Sequence, residues 1–484
     1  MLDLNSLKSE MAAASGTYSE LRYQENTDLR LSLLNGQLVT NLQESSRGVS
    51  ARAFSGGYWG VSSHVSPTRD SGGLGLEGRG CNAAFFKGRR KKESKVAATP
   101  AVRNATFLSG RRQKHAKLAS TPAIQFERSY ASKKAPIQTA AWIDFMKGLD
   151  AIITAKYKDL KARSVTLMSL DMEKYFITSD GSLAHTLVPR AHIAISMTKD
   201  SATGPVQARD VRGGLGQMQD QVTPDPKAFE EWIESVYQMV SKKSEGILPA
   251  AGEHDVILAA DLAGILAHEA VGHTAEADLV LGGSVAGDCL GKTVASPLVT
   301  LVDFAHTYEG ETAPQPVHVD DEGVTAKDTV IIENGTLKTF MNNRETAAHF
   351  SQPATGHARA FTFADEPLIR MRNTAILPGK SKVEEMISSI ENGYYLMKAG
   401  NGQADTTGEF MFATGFGYEI KNGKLGRPLR DSTISGVAFD MLKSVTMVSD
   451  DFEWESSGYC GKKQPMPVGM GGPAIKCRLQ VGGQ

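Results

Sequence analysis

The residues of this chain best suited to chemistry crowd into one stretch, DVILAADLAGILAHEAVGHTAEAD, residues 255–278. Inside it stands His268-Glu269-Ala270-Val271-Gly272-His273. Two imidazoles offer nitrogen ligands to a borderline cation such as zinc, and a carboxylate between them can act as general base. Two imidazoles and a carboxylate are costly inside an otherwise apolar helix unless they are partnered. The spacing is unusual. Histidines four apart lie about 40° apart around a helix and reach one metal, whereas five apart they diverge by about 140°. One wide π-type turn restores the alignment, and such bulges are frequent at functional sites. Gly272, just before the second histidine, makes the distortion easier. We expect a wide turn between His268 and His273. The plain alternative is two unrelated histidines and a solvated glutamate.

A hydrolytic zinc site takes three protein ligands and keeps one position open for water. The residues leave three candidates for the third ligand: Glu276 on the same helix, His357 in TGHAR, and Cys460 in SSGYCGKKQPMPVGMGGP. The glycine- and proline-rich setting of Cys460 suggests a defined loop that can aim a thiolate, although most lone cysteines are ordinary buried thiols. Cys289 and Cys477 have no comparable setting, and Cys81 flanks a basic stretch. Arg359, His357 and Tyr418 are candidate oxyanion stabilisers, with nothing in the sequence to choose among them.

The elements that position these residues are mostly strands. Asn35-Gly36, Asp180-Gly181, Asn334-Gly335 and Asn422-Gly423 supply tight hairpin turns between β-prone stretches. Leu29, Leu31 and Leu33 alternate with polar residues, and TVIIENGTLKTF reads as strand, turn, strand. Ala140 to Tyr157 and Asp225 to Lys243 are amphipathic, with Pro226 suited to a first helical turn. Asp255 to Asp261 reads as a short buried strand and Leu262 onward as the motif helix. The segment 247–255, ILPAAGEHD, looks like a linker. The expected domains are residues 1–246 and 247–484.

At 484 residues the chain exceeds one ordinary core, which also favours two domains. A formal net charge of −1 argues against a chain built as a whole for nucleic acid or anionic membrane. Lys87 to Lys117 nevertheless carries eleven Lys or Arg against one acid, Glu93. Such runs are usually solvated surface, and few aromatics accompany this one for stacking on bases. The N-terminal sequence shows no basic segment followed by an apolar one, and the apolar run 256–267 is too short to span a bilayer. Four cysteines without a CxxC pair fit a cytoplasmic protein with reduced thiols.

Taken together, the motifs resemble the TldD/PmbA family of metallopeptidases, historically labelled modulators of DNA gyrase. The resemblance is carried by YSELRYQE (18–25), GVSARAFSGGYWG (48–60), SDGSLAH (179–185), HEAVGHTAEAD (268–278) and VDDEG (319–323). It continues through IIENGTLK (331–338), RMRNT (370–374), the GQADTTGEFMF region (402–412) and GYCGKKQPMPVGMGGP (458–473). The ordered pair HEAVGH and CGK is its most specific part, and residues 61–135 its weakest. The motif places the chain with the TldD-like branch. The resemblance implies one zinc held by His268, His273 and Cys460, with Glu269 activating the bound water. It also implies an α+β fold: an N-terminal α+β domain, then a β-rich, largely antiparallel C-terminal domain carrying the metal-binding helix. Substrates would be peptides or unfolded proteins, and the assembly a homodimer or a heterodimer with a PmbA-like chain. The basic stretch departs from the helical sequence expected of the family there. Two other readings stay open: a non-catalytic regulator that binds DNA or a topoisomerase, and a zinc amidohydrolase acting on a small molecule.

Overall fold

The computed structural model describes residues 18–55, 58–65 and 117–482. Cys81 and residues 87–116 of the basic stretch lie outside them. Strands β1 (Tyr18–Leu34) and β2 (Gln37–Ser55) form a long hairpin. Asn35 and Gly36 turn it with φ of 49° and 80°, values that asparagine and glycine tolerate best. The other three dipeptides expected to turn hairpins do so as well.

The first sheet continues with β3 (Tyr58–Val65), β4 (Gln125–Ser129), β5 (Leu160–Thr178), β6 (Leu183–Ser201) and β7 (Gly204–Leu215). Its order is β3-β2-β1-β5-β6, with β4 and β7 both pairing onto β6. Two helices, α1 (Thr139–Lys156) and α2 (Glu230–Ser244), cover one face. Trp142, Met146 and Leu149 of α1 and Trp232, Ile233 and Val236 of α2 are buried against Leu31, Leu33, Val165, Leu167 and Ile193. The alternation seen around Leu31 is thus the core face of β1. The second helix starts later than Asp225. Asp225 caps a 3-10 turn, Pro226–Phe229, and the α-helix proper begins at Glu230.

In the second half, β8 (Gly252–Leu258) precedes α3 (Ala260–Leu266). The expected linker is therefore shorter, because Gly252, Glu253 and His254 already pair in the sheet. Strand and helix also begin a few residues earlier than their polarity suggested. Further along come β9 (Leu301–Phe304), β10 (Asn373–Ile376), β11 (Asn392–Ala404), β12 (Glu409–Lys421), β13 (Ser432–Val437), β14 (Gly469–Gly472) and β15 (Ile475–Gly482). Strands β11, β8, β15, β13 and β12 pair in that order, and β12 pairs back onto β11, so they close a ring. A second sheet sets β10 between β9 and β14.

Helix α3 packs against both β11 of the ring and β14 of the second sheet. The approach to β14 is so close that a Cβ at Gly264 would lie 2.8 Å from the Gly471 nitrogen. The fold is α+β, with one buried core under α1 and α2 and another around α3.

The VDDEG segment joins the halves. Glu322 accepts from Arg52 Nη2 at 2.8 Å, Asp321 accepts from Lys174 Nζ at 2.6 Å, and Arg22 lies 3.8 Å from Asp321. Arg22, Arg52, Asp321 and Glu322 are buried and paired, the condition under which charges persist inside a protein.

Candidate metal centre

Helix α3 does not end regularly. It runs into a π turn, Ala267–Gly272, and then a 3-10 turn, His273–Ala275. The five-residue spacing requires this wide turn, which brings the rings of His268 and His273 to 5.1 Å, nearly perpendicular. Gly272 serves a different purpose from the one expected. Its φ of −56° is ordinary for a helix, but a Cβ there would sit 2.0 Å from Met371 Sδ. The residue is small to let Met371 close over the turn, not to free the backbone.

Cys460 arrives from a short strand, Tyr459–Cys460, paired with Met466–Pro467. Arg370 of the RMRNT segment pins this loop from beneath: Nη2 donates to the Cys460 carbonyl at 2.6 Å and Nη1 to that of Gln464 at 3.0 Å. The result is a cluster of one ligand atom each from His268, His273 and Cys460, all within 4.8 Å of one another. The Cys460 sulfur lies 3.3 Å from His273 Nε2.

Two observations test whether a cation fits these residues. His268 is fully buried, yet neither ring nitrogen has a hydrogen-bond partner. An orphaned buried imidazole is a cost that a metal ion removes. Burial by itself would push the Cys460 thiol up, but the His268 and His273 imidazoles bring it down to about 4. A thiolate between two imidazoles is a donor set suited to zinc. By contrast, burial and the nearby Asp255 push the thiol of Cys477 up to about 12, leaving it an inert core group.

The other candidates have different places. Glu276, fully buried, accepts from His273 Nδ1 at 2.7 Å, on the ring edge that faces away from the thiolate. Burial alone would raise its carboxyl, but His273 and Lys462 hold it at about 2. His357 is buried in a separate network with Thr355 and Asp303. Arg359 is spent on the carbonyls of Met371 and Pro467. Tyr418 lies on β12 against Lys242. Arg370 and Lys462 lie in the RMRNT and CGK stretches, but nothing in their residue types tells that they act on the site, 90 residues or more away from the groups they hold.

Glu269 lies beside the cluster of three ligand atoms and is not one of its members. Its side chain is 23% exposed, with Oε2 3.5 Å from His273 Nε2. It lines a cleft of about 700 Å³ with Asp261 and Ile265 of α3, Arg209 and Val211 of β7, and Tyr459. Lys398 of β11 reaches Asp210 of β7 at 2.9 Å, so both halves of the molecule build the cleft.

The His357 network makes a testable point about acid stability. Burial and the Arg372 charge hold the His357 imidazole at about 4 in the folded chain, against about 6.5 when unfolded. As pH falls through 6.5 the unfolded chain takes up this proton first, so folding weakens. At pH 5 the loss is about 2 kcal/mol. In denaturant titrations at pH 7 and pH 5, His357→Gln is expected to lose about 2 kcal/mol less than the parent. Equal losses in both would rule out this source of acid sensitivity.

Comparison with known proteins agrees with the architecture. Residues 251–483 match the PmbA/TldA metallopeptidase C-terminal domain, and residues 19–76 match PmbA/TldA metallopeptidase domain 1. A metalloprotease of Archaeoglobus fulgidus is 30% identical over 96% of this chain and 99% of its own length. One from Methanothermobacter thermautotrophicus is 33% identical over 69% of this chain and 72% of that protein. A zinc metalloprotease TldD homolog of Saccharolobus solfataricus is 39% identical over 52% of this chain, which spans 56% of that relative. Among solved structures, a Thermotoga maritima protein named as a candidate modulator of a DNA gyrase superposes with a TM-score of 0.74 at 18% identity, covering 99% of both chains. TldE from Thermococcus kodakarensis gives 0.68 at 17% identity, covering 99% of this chain and 100% of that one. The chain belongs to the PmbA/TldD metallopeptidase family.

Proposed function

We propose that this chain is a zinc-dependent peptidase acting on unfolded or extended peptides, with one zinc held by His268, His273 and Cys460. The observation that carries the reading is the convergence of those three ligand atoms with Glu269 beside them, on the wall of a cleft. The name of the Saccharolobus relative supports zinc as the ion. When bound, zinc supplies a Lewis acid for the peptide carbonyl and acidifies a water in its open position. Glu269, half in the cleft and outside the ligand set, takes the proton at its carboxylate and returns it to the leaving amine.

An extended substrate suits the walls. Strand β7 pairs only with β6 among the described residues, so its outer edge is open. Lys243 occupies the Gln207 carbonyl and Ser456 that of Gly213, which leaves Arg209 and Val211 between them, facing the cleft. Backbone pairing of this kind tolerates many side chains.

We further propose that residues 1–246 and 247–484 are separate domains, with the cleft between them. The partner in this proposal is a second copy or a PmbA-like chain. No helix among the described residues is long and apolar enough to cross a membrane, and we propose a cytoplasmic location.

The deciding experiment is hydrolysis of an unstructured peptide by the purified chain, before and after chelation and again after zinc is restored. Cleavage that chelator abolishes and zinc restores is expected. Cleavage indifferent to chelator, or a chain that takes up no metal, would end this reading.

A further inference from the structure

The CGK segment contributes more than a thiolate. Two residues beyond Cys460, Lys462 turns back under the site and is almost fully buried. Its ammonium lies 3.1 Å from Glu276 Oε2, 2.7 Å from Asp278 Oδ2 and 3.1 Å from the Ile369 carbonyl. Three acceptors match the three protons of an ammonium, which fixes the side chain. Glu276 Oε2 is the same oxygen that meets His273 Nδ1, at 2.7 Å. On the other edge of that ring, Nε2 faces Cys460 Sγ at 3.3 Å. The groups thus form a closed circuit: Lys462, Glu276, His273, Cys460, and back along the chain through Gly461.

We propose that Lys462 is a positioning residue for the metal centre: by pairing with Glu276 it fixes His273 with its proton on Nδ1, so that the Nε2 lone pair faces the ion. The inference rests on the metal ligation proposed above. The physical reason is electrostatic. Glu276 has no exposed surface, and its Oε1 has no hydrogen-bond partner. One oxygen, Oε2, is shared between the Lys462 ammonium and His273 Nδ1, so the ammonium fixes where that acceptor sits. The bond from Nδ1–H to it orients the ring and makes its other nitrogen a better ligand. Cys-Gly-Lys then delivers a ligand and the support for a second ligand from one turn of chain.

The test compares Lys462→Met with Lys462→Arg. Zinc affinity is measured by competition with a chromophoric chelator, and the thiolate-to-cobalt charge-transfer band is recorded after Co²⁺ substitution. Losing a group of this kind costs about 10- to 100-fold in metal affinity. Lys462→Met is expected to show that loss with a shifted cobalt band, while Lys462→Arg stays within a few-fold of the parent. Adding Glu276→Gln to Lys462→Met is expected to cost little more, because both act through one bond. An unchanged affinity in Lys462→Met, or losses that simply add in the double variant, would overturn the proposal. Should Lys462→Met fail to fold, the double variant, which leaves no unmatched charge on residue 276, takes its place. Parent-like affinity in that variant would also overturn it. A parent chain that binds no zinc would instead sink the metal ligation itself.

Discussion

Cys460→Ala is expected to abolish stoichiometric zinc binding, abolish hydrolysis and remove the zinc-dependent part of the melting temperature. Cys460 is 1% exposed, and its sulfur sits beside two imidazoles that, against the effect of burial, bring its thiol down to about 4. His273 and Cys460 are 187 residues apart, and an ion shared between them closes that whole span. Ligand that binds only the folded form adds about 4 kcal/mol at a thousandfold excess over Kd. Zinc should therefore raise the parent's melting temperature by several degrees and leave that of the variant unchanged. Cys477→Ala is the control. Its thiol is a core group on β15, so only a modest loss of stability is expected, with zinc and turnover retained. A Cys460→Ala protein that keeps a full equivalent of zinc would remove the thiolate from the ligand set.

Glu269→Ala is expected to give the opposite pattern, with zinc retained and turnover lost. Its carboxylate is outside the triangle of ligand atoms and open to the cleft. General bases contribute about 10²- to 10⁴-fold, which corresponds to about 3–5 kcal/mol of barrier. The isosteric Glu269→Gln should fall by the same factor, since the amide keeps the shape and loses the basicity. Metal analysis and kcat/KM on the same preparations decide the matter. If zinc leaves together with activity, Glu269 is a ligand and the base lies elsewhere.

The two variants bracket what could be read from the sequence. The wide turn at 267–272 was legible because two histidines five apart leave a regular helix no other means of meeting. The hairpins were legible because Asn-Gly and Asp-Gly carry their backbone geometry in their residue types. The reason for Gly272 was not legible, since it lies in Met371, a side chain from a distant segment. Nor was the start of β8, whose Glu253 and His254 look like linker residues but pair with β15 through their backbone. Arg370 and Lys462 were visible only as letters inside the RMRNT and CGK stretches, because burial and partners are properties of three dimensions. His357, a candidate ligand on paper, proved to be occupied with Thr355 and Asp303 for the same reason. The basic stretch falls almost wholly outside the described residues.

The ring of strands also fixes an order of events in synthesis. Strand β8, which leads into α3, pairs on one side with β11 and on the other with β15, more than 200 residues later. By the time Cys460 has been made, both histidines are in place, but the ring that supports their helix still lacks the strand between β8 and β13. Contacts of such sequence separation form slowly, because the loop must close before they contribute. A nascent chain therefore carries its soft, oxidisable donors while its sheet is still open. The proposed metal centre is expected among the last parts of the molecule to mature, and a chain stalled short of residue 475 is expected to leave an apolar helix uncovered.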